Sequence, residues 1–205
     1  KGVFAWITCP MVLERFKKDL KLAGITDFNF SDFQNLQNTI PNTSNIEISS
    51  KIVLEEFTFE VIKDQNTTKL AEWLSDNIFP NDNSYQFWRD KLKKDLVILS
   101  DDDFKHFVKS STEVITRTKI DDVTGTVQSG ALWTEEYLPQ DTIMYSIVMF
   151  SQPRVEDDKK GVFKDNTPAK EAKLIAEFFT KGIPEVIQIG GSQTVGKGFM
   201  RVKFL

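Results

Sequence analysis

Val114-Ile115-Thr116-Arg117-Thr118-Lys119-Ile120, then Asp121-Asp122-Val123-Thr124-Gly125, then Thr126 to Tyr137: this stretch decides the fold class. Successive strand side chains point to opposite faces, so Ile115, Arg117 and Lys119 share one face while Thr116 and Thr118 take the other. The polar pentapeptide turns the chain. Its glycine, Gly125, is free to adopt a positive φ. The return strand carries a break at Ser129-Gly130. An antiparallel hairpin beside helical patterns makes the chain an α+β protein.

Upstream, Pro10 opens a helix in which Leu13, Phe16, Leu20 and Ala23 recur at helical spacing, and Gly24 stops it. Residues 25–50 are rich in Asn, Ser, Thr and Asp and read as mostly irregular. Lys51 to Ile62 reads as one strand, with Val53, Phe57, Phe59 and Val61 apolar between polar neighbours. Helices are predicted from Thr67 to Ile78, with Leu70, Trp73, Leu74 and Ile78 inward, and from Ser84 to Leu92, with Tyr85, Trp88 and Leu92. A short one from Asp101 to Val108 begins on three acids, which suit a helix N-terminus.

Downstream, Asp141 to Phe150 reads as a strand. Thr167 caps and Pro168 begins a helix that buries Leu174, Ile175, Phe178 and Phe179 and ends at Gly182. Val186 to Ile189 and Phe199 to Leu205 are the last strands. With no internal repeat and no composition break, residues 1–205 read as a single domain, with an insertion over about 25–110 and a hairpin over about 112–138. The first residue, Lys1, leads straight into a strand-like run, Gly2 to Ile7, which predicts a segment upstream of this chain.

At 205 residues the chain can bury one sizeable core, and 17 Phe can fill it with some left for an interface. One Cys and one His exclude an intrachain disulfide and a His/Cys zinc site. Cys9 lies in an apolar stretch and reads as a buried spectator, and His106 as a surface or half-buried side chain. No run approaches the roughly 18 apolar residues of a membrane span, and no signal peptide is visible, so a reducing cytoplasmic location is expected.

A net charge of −4 argues against a free-standing nucleic-acid binder, so any such role must rest on local charge. Three stretches supply it. The first carries Lys1, Arg15, Lys17, Lys18 and Lys21. The second, Lys105 to Lys119, sets four bases against Glu113. The third, Lys197, Arg201 and Lys203, contains no acid. Acids collect elsewhere, at Asp101-Asp102-Asp103 and Glu156-Asp157-Asp158, which permits a basic groove on an acidic body.

Gly190-Gly191-Ser192-Gln193-Thr194-Val195-Gly196-Lys197-Gly198 is the most chemically suggestive stretch. Glycines let a phosphate approach backbone N–H groups closely. Residues 191–197 nearly match a phosphate-binding P-loop, which keeps a nucleotide-binding protein as an alternative. Two features oppose it: Gly198 stands where Ser or Thr should bind magnesium, and the alternating run Phe199 to Phe204 reads as a strand where a P-loop needs a helix. In that strand Arg201 and Lys203 face away from Met200, Val202 and Phe204. A basic face after a glycine loop suits RNA, and a tight hairpin with solvated bases fits equally well. A scaffold with no nucleic-acid role stays open. Glu135, Glu136 and Tyr137 could serve near a scissile bond, although exposed strand carboxylates are far commoner.

Three segments together resemble one family. Lys1 to Pro10 running into the helix Met11 to Leu20, the region Arg117 to Pro139 with Ile120-Asp121, Thr124-Gly125-Thr126, Gly130-Ala131-Leu132 and Glu135-Glu136-Tyr137-Leu138-Pro139, and the glycine-rich loop after Ile189 are similar to the RAMP-superfamily backbone subunits of type III-B (Cmr) CRISPR effector complexes, the fourth Cmr subunit in particular. The resemblance implies an RRM-like (ferredoxin-like) antiparallel-sheet palm with helical insertions and a protruding β-hairpin thumb. It implies copies stacked head to tail along a crRNA, with each thumb kinking the guide–target duplex and the target RNA cleaved between thumbs. The RNA contacts expected are Arg117, Lys119, Ile120, Thr124, Gly190, Gly191, Gly196, Lys197, Gly198 and Arg201. The family's cleaving aspartate lies near its N-terminus and no stretch here matches it, so no catalytic residue is assigned; Glu135 and Tyr137 are expected as accessories near the cut. Partners are crRNA, target RNA, further copies and other Cmr subunits, with no membrane. The chain needs no cofactor of its own, and a divalent metal enters at most as a requirement of the assembled complex.

Overall fold

The computed structural model describes residues 4–30 and 32–205. Lys1, Gly2 and Val3, where the first strand was expected to begin, lie outside the described residues. The elements are β1 (Trp6–Thr8), α1 (Pro10–Leu22), β2 (Thr39–Pro41), β3 (Lys51–Leu54), β4 (Phe57–Glu60), β5 (Ile62–Asp64), α2 (Gln65–Ile78), α3 (Gln86–Asp95), β6 (Leu96–Ile98), α4 (Asp101–Ser110), β7 (Glu113–Ile120), β8 (Val127–Tyr137), α5 (Pro168–Gly182), β9 (Val186–Gln188) and β10 (Phe199–Arg201). They pack as two compact units, Lys1–Tyr145 and Ser146–Leu205.

The first unit is organised by a four-stranded sheet in the order β1-β6-β2-β5. β1 runs parallel to β6, β6 antiparallel to β2, and β2 parallel to β5. This sheet is mixed, which corrects the wholly antiparallel arrangement expected. Its centre is β6 and the residue after it, Leu96-Val97-Ile98-Leu99, at most 3% exposed. Alternate side chains serve two cores: Leu96 and Ile98 join Leu13, Leu20, Phe33, Leu70 and Leu92 on one face, while Val97 and Leu99 join Ile40, Ile52, Val61 and Phe107 on the other. A strand buried on both faces has no polar alternation, and no strand was read there from the sequence.

Local chemistry starts the helices, at Thr167 as expected and at Asp64 and Ser100 through caps the sequence reading did not name. Asp64 accepts the Thr67 N–H at 2.7 Å ahead of α2, Ser100 accepts that of Asp103 at 3.1 Å ahead of α4, and Thr167 accepts that of Lys170 at 3.3 Å ahead of α5. At α1, Cys9 caps nothing with its side chain; the Met11 N–H instead reaches Asp101 Oδ1 at 2.9 Å. Cys9 itself is buried, and burial pushes its thiol up to about 11. His106 is exposed, with its ring edge on Phe57.

Further strand expectations change. Lys51 to Ile62 is a hairpin, with Lys51 opposite Glu60 and Leu54 opposite Phe57, and then a separate strand β5. Glu55 makes the turn at a φ of +52°, a conformation more often given to Gly or Asn, so the sequence carries no turn signal. Within residues 25–50, read as irregular, β2 is a fully buried sheet strand. Asp141 to Phe150 forms no strand; it is largely exposed, with Met149 at 79%, and has no ladder partner among the described residues.

In the second unit α5 packs edge-to-face through Phe179 on Phe150 and Phe204, and through Phe178 on Phe163. Phe178, expected inside, is 67% exposed. Glu171 on α5 is buried, and Lys160 Nζ meets both its carboxylate oxygens at 2.9 Å while also reaching Asp157 at 2.9 Å. β9 and β10 pair antiparallel around the glycine loop, and the last strand is three residues long, not seven.

Candidate nucleic-acid interface

Each unit carries one candidate surface. In the first it is the β7–β8 hairpin. Pairing sets Glu113 opposite Tyr137, Ile115 opposite Glu135 and Arg117 opposite Trp133, so these six share a face. Val114, Thr116 and Thr118 lie on the other face, opposite Glu136, Thr134 and Leu132. This is the division of faces read from the alternation for Ile115, Thr116, Arg117 and Thr118; Lys119 falls at the break in register. The register shifts between Thr118 and Ile120, where Ile120 pairs with Val127, and Gly130 sits in β8 at a φ of +75°.

The first face is cross-linked by charge. Arg117 Nε donates to Glu135 Oε2, its Nη2 reaches the Tyr137 hydroxyl at 3.4 Å, that hydroxyl donates to Glu135 Oε2, and Trp133 Nε1 donates to Glu135 Oε1 at 3.1 Å. The Tyr137 and Trp133 hydrogen bonds, with the Arg117 charge, hold the Glu135 carboxyl down to about 2. Glu135 is therefore a fixed anion and a poor proton donor, and the guanidinium of Arg117 is oriented along the ribbon. The second face is open and mixed: Val114 and Leu132, 62% and 66% exposed, stand among three threonines and Glu136.

At the turn, Asp121 accepts the N–H groups of Val123 at 3.0 Å and Thr124 at 2.8 Å, and the Thr124 hydroxyl at 3.1 Å. These donors lower its carboxyl below the usual range. Thr124 is thus locked at the tip, beside Val123, which is 94% exposed, and Gly125, whose φ is +67°. Lys119 and Ile120 are exposed beside it.

In the second unit the loop after β9 closes by the Ile189 N–H on the Gly198 carbonyl at 2.9 Å. Gly190, Gly196 and Gly198 have φ of +88°, +79° and +76°, which L residues rarely adopt. Between them Gln193–Val195 makes a single 3-10 turn, and the chain continues into β10. A P-loop needs a full helix at this point to direct its N-terminus at a phosphate; the nucleotide-binding alternative fails here. Lys197 lies on the loop, while Arg201 on β10 is ion-paired with Glu185.

Arg117, Glu135 and Tyr137 are thus brought together, as are the five loop residues, whereas Arg201 is taken up by an acid. Sequence reasoning missed Trp133 and Gln188. Register counting across the turn could have placed Trp133 opposite Arg117; nothing in the sequence singles out Gln188. Among the described residues no group of His, Cys, Asp and Glu is arranged to hold a metal, and no helix is long and apolar enough to cross a membrane.

A mixed α+β sheet unit, a long two-stranded ribbon and a glycine-loop hairpin define the class. The family model of the RAMP superfamily matches residues 25–201, and the chain belongs to that superfamily. It is 37% identical over 207 aligned residues to the CRISPR system Cmr endoribonuclease Cmr4 of Pyrococcus furiosus, an alignment covering 98% of this chain and 62% of that protein. It is 26% identical to the CRISPR system CMR subunit Cmr4 of Saccharolobus solfataricus, over 83% of this chain and 53% of that one. The chain therefore spans roughly three fifths or less of the curated relatives it matches. The crystal structure of oligomeric Cmr4 from Pyrococcus furiosus superposes with a TM-score of 0.58 at 27% identity, over 98% of this chain and 64% of that chain. A type III-B Cmr-beta complex bound to cognate target RNA has a chain that matches at a TM-score of 0.56 and 19% identity, covering 98% of this chain and 61% of its own; this is a likeness of fold.

Proposed function

We propose that this chain is the body of a backbone subunit of a type III-B CRISPR effector complex, binding crRNA and its paired target RNA and stacking with further copies of itself and with other Cmr subunits. One observation carries the reading: 37% identity to a Cmr4 endoribonuclease across 98% of the chain. In this reading the β7–β8 ribbon is the thumb, an RRM-like palm accounts for the antiparallel pairing at β9 and β10, and the protein works in the cytoplasm. Lys119, Ile120 and Thr124 at the ribbon's end, Arg117 on its charged face, and Gly190, Gly191, Gly196, Lys197, Gly198 and Arg201 contact RNA. The exposed apolar side chains Val114, Leu132 and, at the tip, Val123 suit wedging against bases, as inserted apolar side chains do in other nucleic-acid complexes.

Cleavage of target RNA belongs to the complex. In it Glu135 and Tyr137 act as accessories near the cut: a carboxylate held ionised orients a hydroxyl or water and does not supply the proton. No residue of this chain is assigned as the principal catalytic acid, and any divalent metal that cleavage needs enters with the assembled complex.

The test is native mass spectrometry of the protein with single-stranded RNAs of increasing length. Bound mass should rise by one chain per fixed increment of RNA. A single bound copy at every length, or no binding, would overturn the reading.

A further inference from the structure

The glycine loop is organised from within by one side chain that none of the RNA-contact assignments includes. Gln188, the last residue of β9, directs its carboxamide into the loop. Its Nε2 lies 3.0 Å from the Gly190 carbonyl oxygen, 3.5 Å from that of Gly191 and 3.4 Å from that of Lys197. One amide nitrogen thus gathers carbonyls from both arms of the loop. Gly198 completes the seat: a Cβ there would run into the Ile189 carbonyl oxygen and come within 3.0 Å of Gln188 Nε2.

Peptide planarity gives this arrangement a consequence. In a trans peptide the C=O of one residue and the N–H of the next point in opposite directions. Turning the Gly190 carbonyl toward Gln188 turns the Gly191 N–H away from it, and turning the Lys197 carbonyl inward turns the Gly198 N–H outward. Backbone N–H groups collected on one side of a glycine turn form an anion-binding concavity. Without Gln188 the carbonyls would compete for that side and present partial negative charge to a polyanion.

We propose that Gln188 is the positioning residue of the glycine loop, drawing its carbonyls inward so that the Gly191 and Gly198 N–H groups face a phosphodiester. This rests on the RNA-binding reading above and deepens it: the loop recognises the backbone phosphate, not a base. Gln188 touches no RNA itself.

The full chain is titrated with a 12-nucleotide oligouridylate, following fluorescence anisotropy and the backbone amide resonances of Gly191 and Gly198. In the native protein both resonances should move on adding RNA. Gln188→Met keeps the length and neutrality of the side chain and removes its donors. It should weaken binding about tenfold, the loss expected of roughly one charge-assisted hydrogen bond. It should also abolish both shifts while the far-ultraviolet circular dichroism stays native, because the half-buried Gln188 ends β9 and its amide bonds loop carbonyls. Gln188→Leu, which likewise removes the amide donor without touching the loop backbone, should do the same and serves as the second route if the first variant misfolds. A Gln188→Met protein with native affinity and native Gly191 and Gly198 shifts overturns the proposal and leaves the RNA reading standing. Failure of the native protein to bind the oligouridylate overturns both.

Discussion

Replacing Ile40 with alanine should destabilise the protein by about 2–5 kcal/mol, the range for truncating a fully buried aliphatic side chain. Ile40 is 0% exposed, on the central strand β2, and packs with Val97, Leu99 and Phe107. The substitution removes three carbons, worth about 0.8 kcal/mol each on transfer, and leaves a cavity penalised at about 24 cal/mol per Å³. β2 is pinned between β5 and β6, so the site cannot close up easily and the upper half of the range is expected. Ile62 is the control: it lies on β5 opposite Thr39 but is 71% exposed, and Ile62→Ala should stay within about 0.5 kcal/mol. Urea unfolding followed by tryptophan fluorescence reads this unit, because Trp6, Trp73, Trp88 and Trp133 all lie within Lys1–Tyr145. Equal, small costs for the two variants would refute the sheet assignment and return residues 25–50 to an irregular segment.

The Glu135 carboxyl should titrate near pH 2 by carbon-detected NMR, and Arg117→Met should raise it toward the ordinary glutamate range. Because its folded value lies below its unfolded one, its contribution to hairpin stability is complete above about pH 4.5 and is lost as pH falls toward 2; weakening on raising the pH from 5 would contradict this. Lys160→Met leaves the buried Glu171 without its counter-charge, so hydrogen exchange over the first half of α5 should quicken, and adding Glu171→Leu should recover part of the protection. Calorimetric titration with magnesium ATP should give no binding heat, and Lys197→Ala should change nothing; saturable heat lost in that variant would revive the nucleotide-binding alternative.

The most legible parts of the sequence were those with a single periodicity and strong punctuation. Pro10 and Gly24 bracket α1, Thr167 and Gly182 bracket α5, and the alternation from Val114 with the Asp121–Gly125 turn gave the ribbon and its faces. Segments shaped by tertiary burial were not legible. Leu96–Leu99 is apolar throughout because both faces are covered, and Thr39–Pro41 is a three-residue strand inside a polar stretch. Val53 and Phe57 looked like one strand because the Glu55 turn uses no glycine. Asp141–Phe150 shows the converse: β-prone residues form no strand without a neighbour to pair with. At the candidate site, residue types marked Arg117 and the glycines, but only geometry joined Arg117 to Glu135, Tyr137 and Trp133, tied Arg201 to Glu185, and put the Gln188 amide inside the loop.

Photo-crosslinking of the protein to a 4-thiouridine-substituted guide-length RNA, with the attached peptides mapped by mass spectrometry, bears most directly on the RNA-binding role. Attachment should fall within Glu113–Tyr137 and within residues 189–201, recurring at regular intervals along the RNA. Crosslinks confined to other segments, or unchanged when Lys119 and Lys197 are both replaced by glutamate, would contradict it.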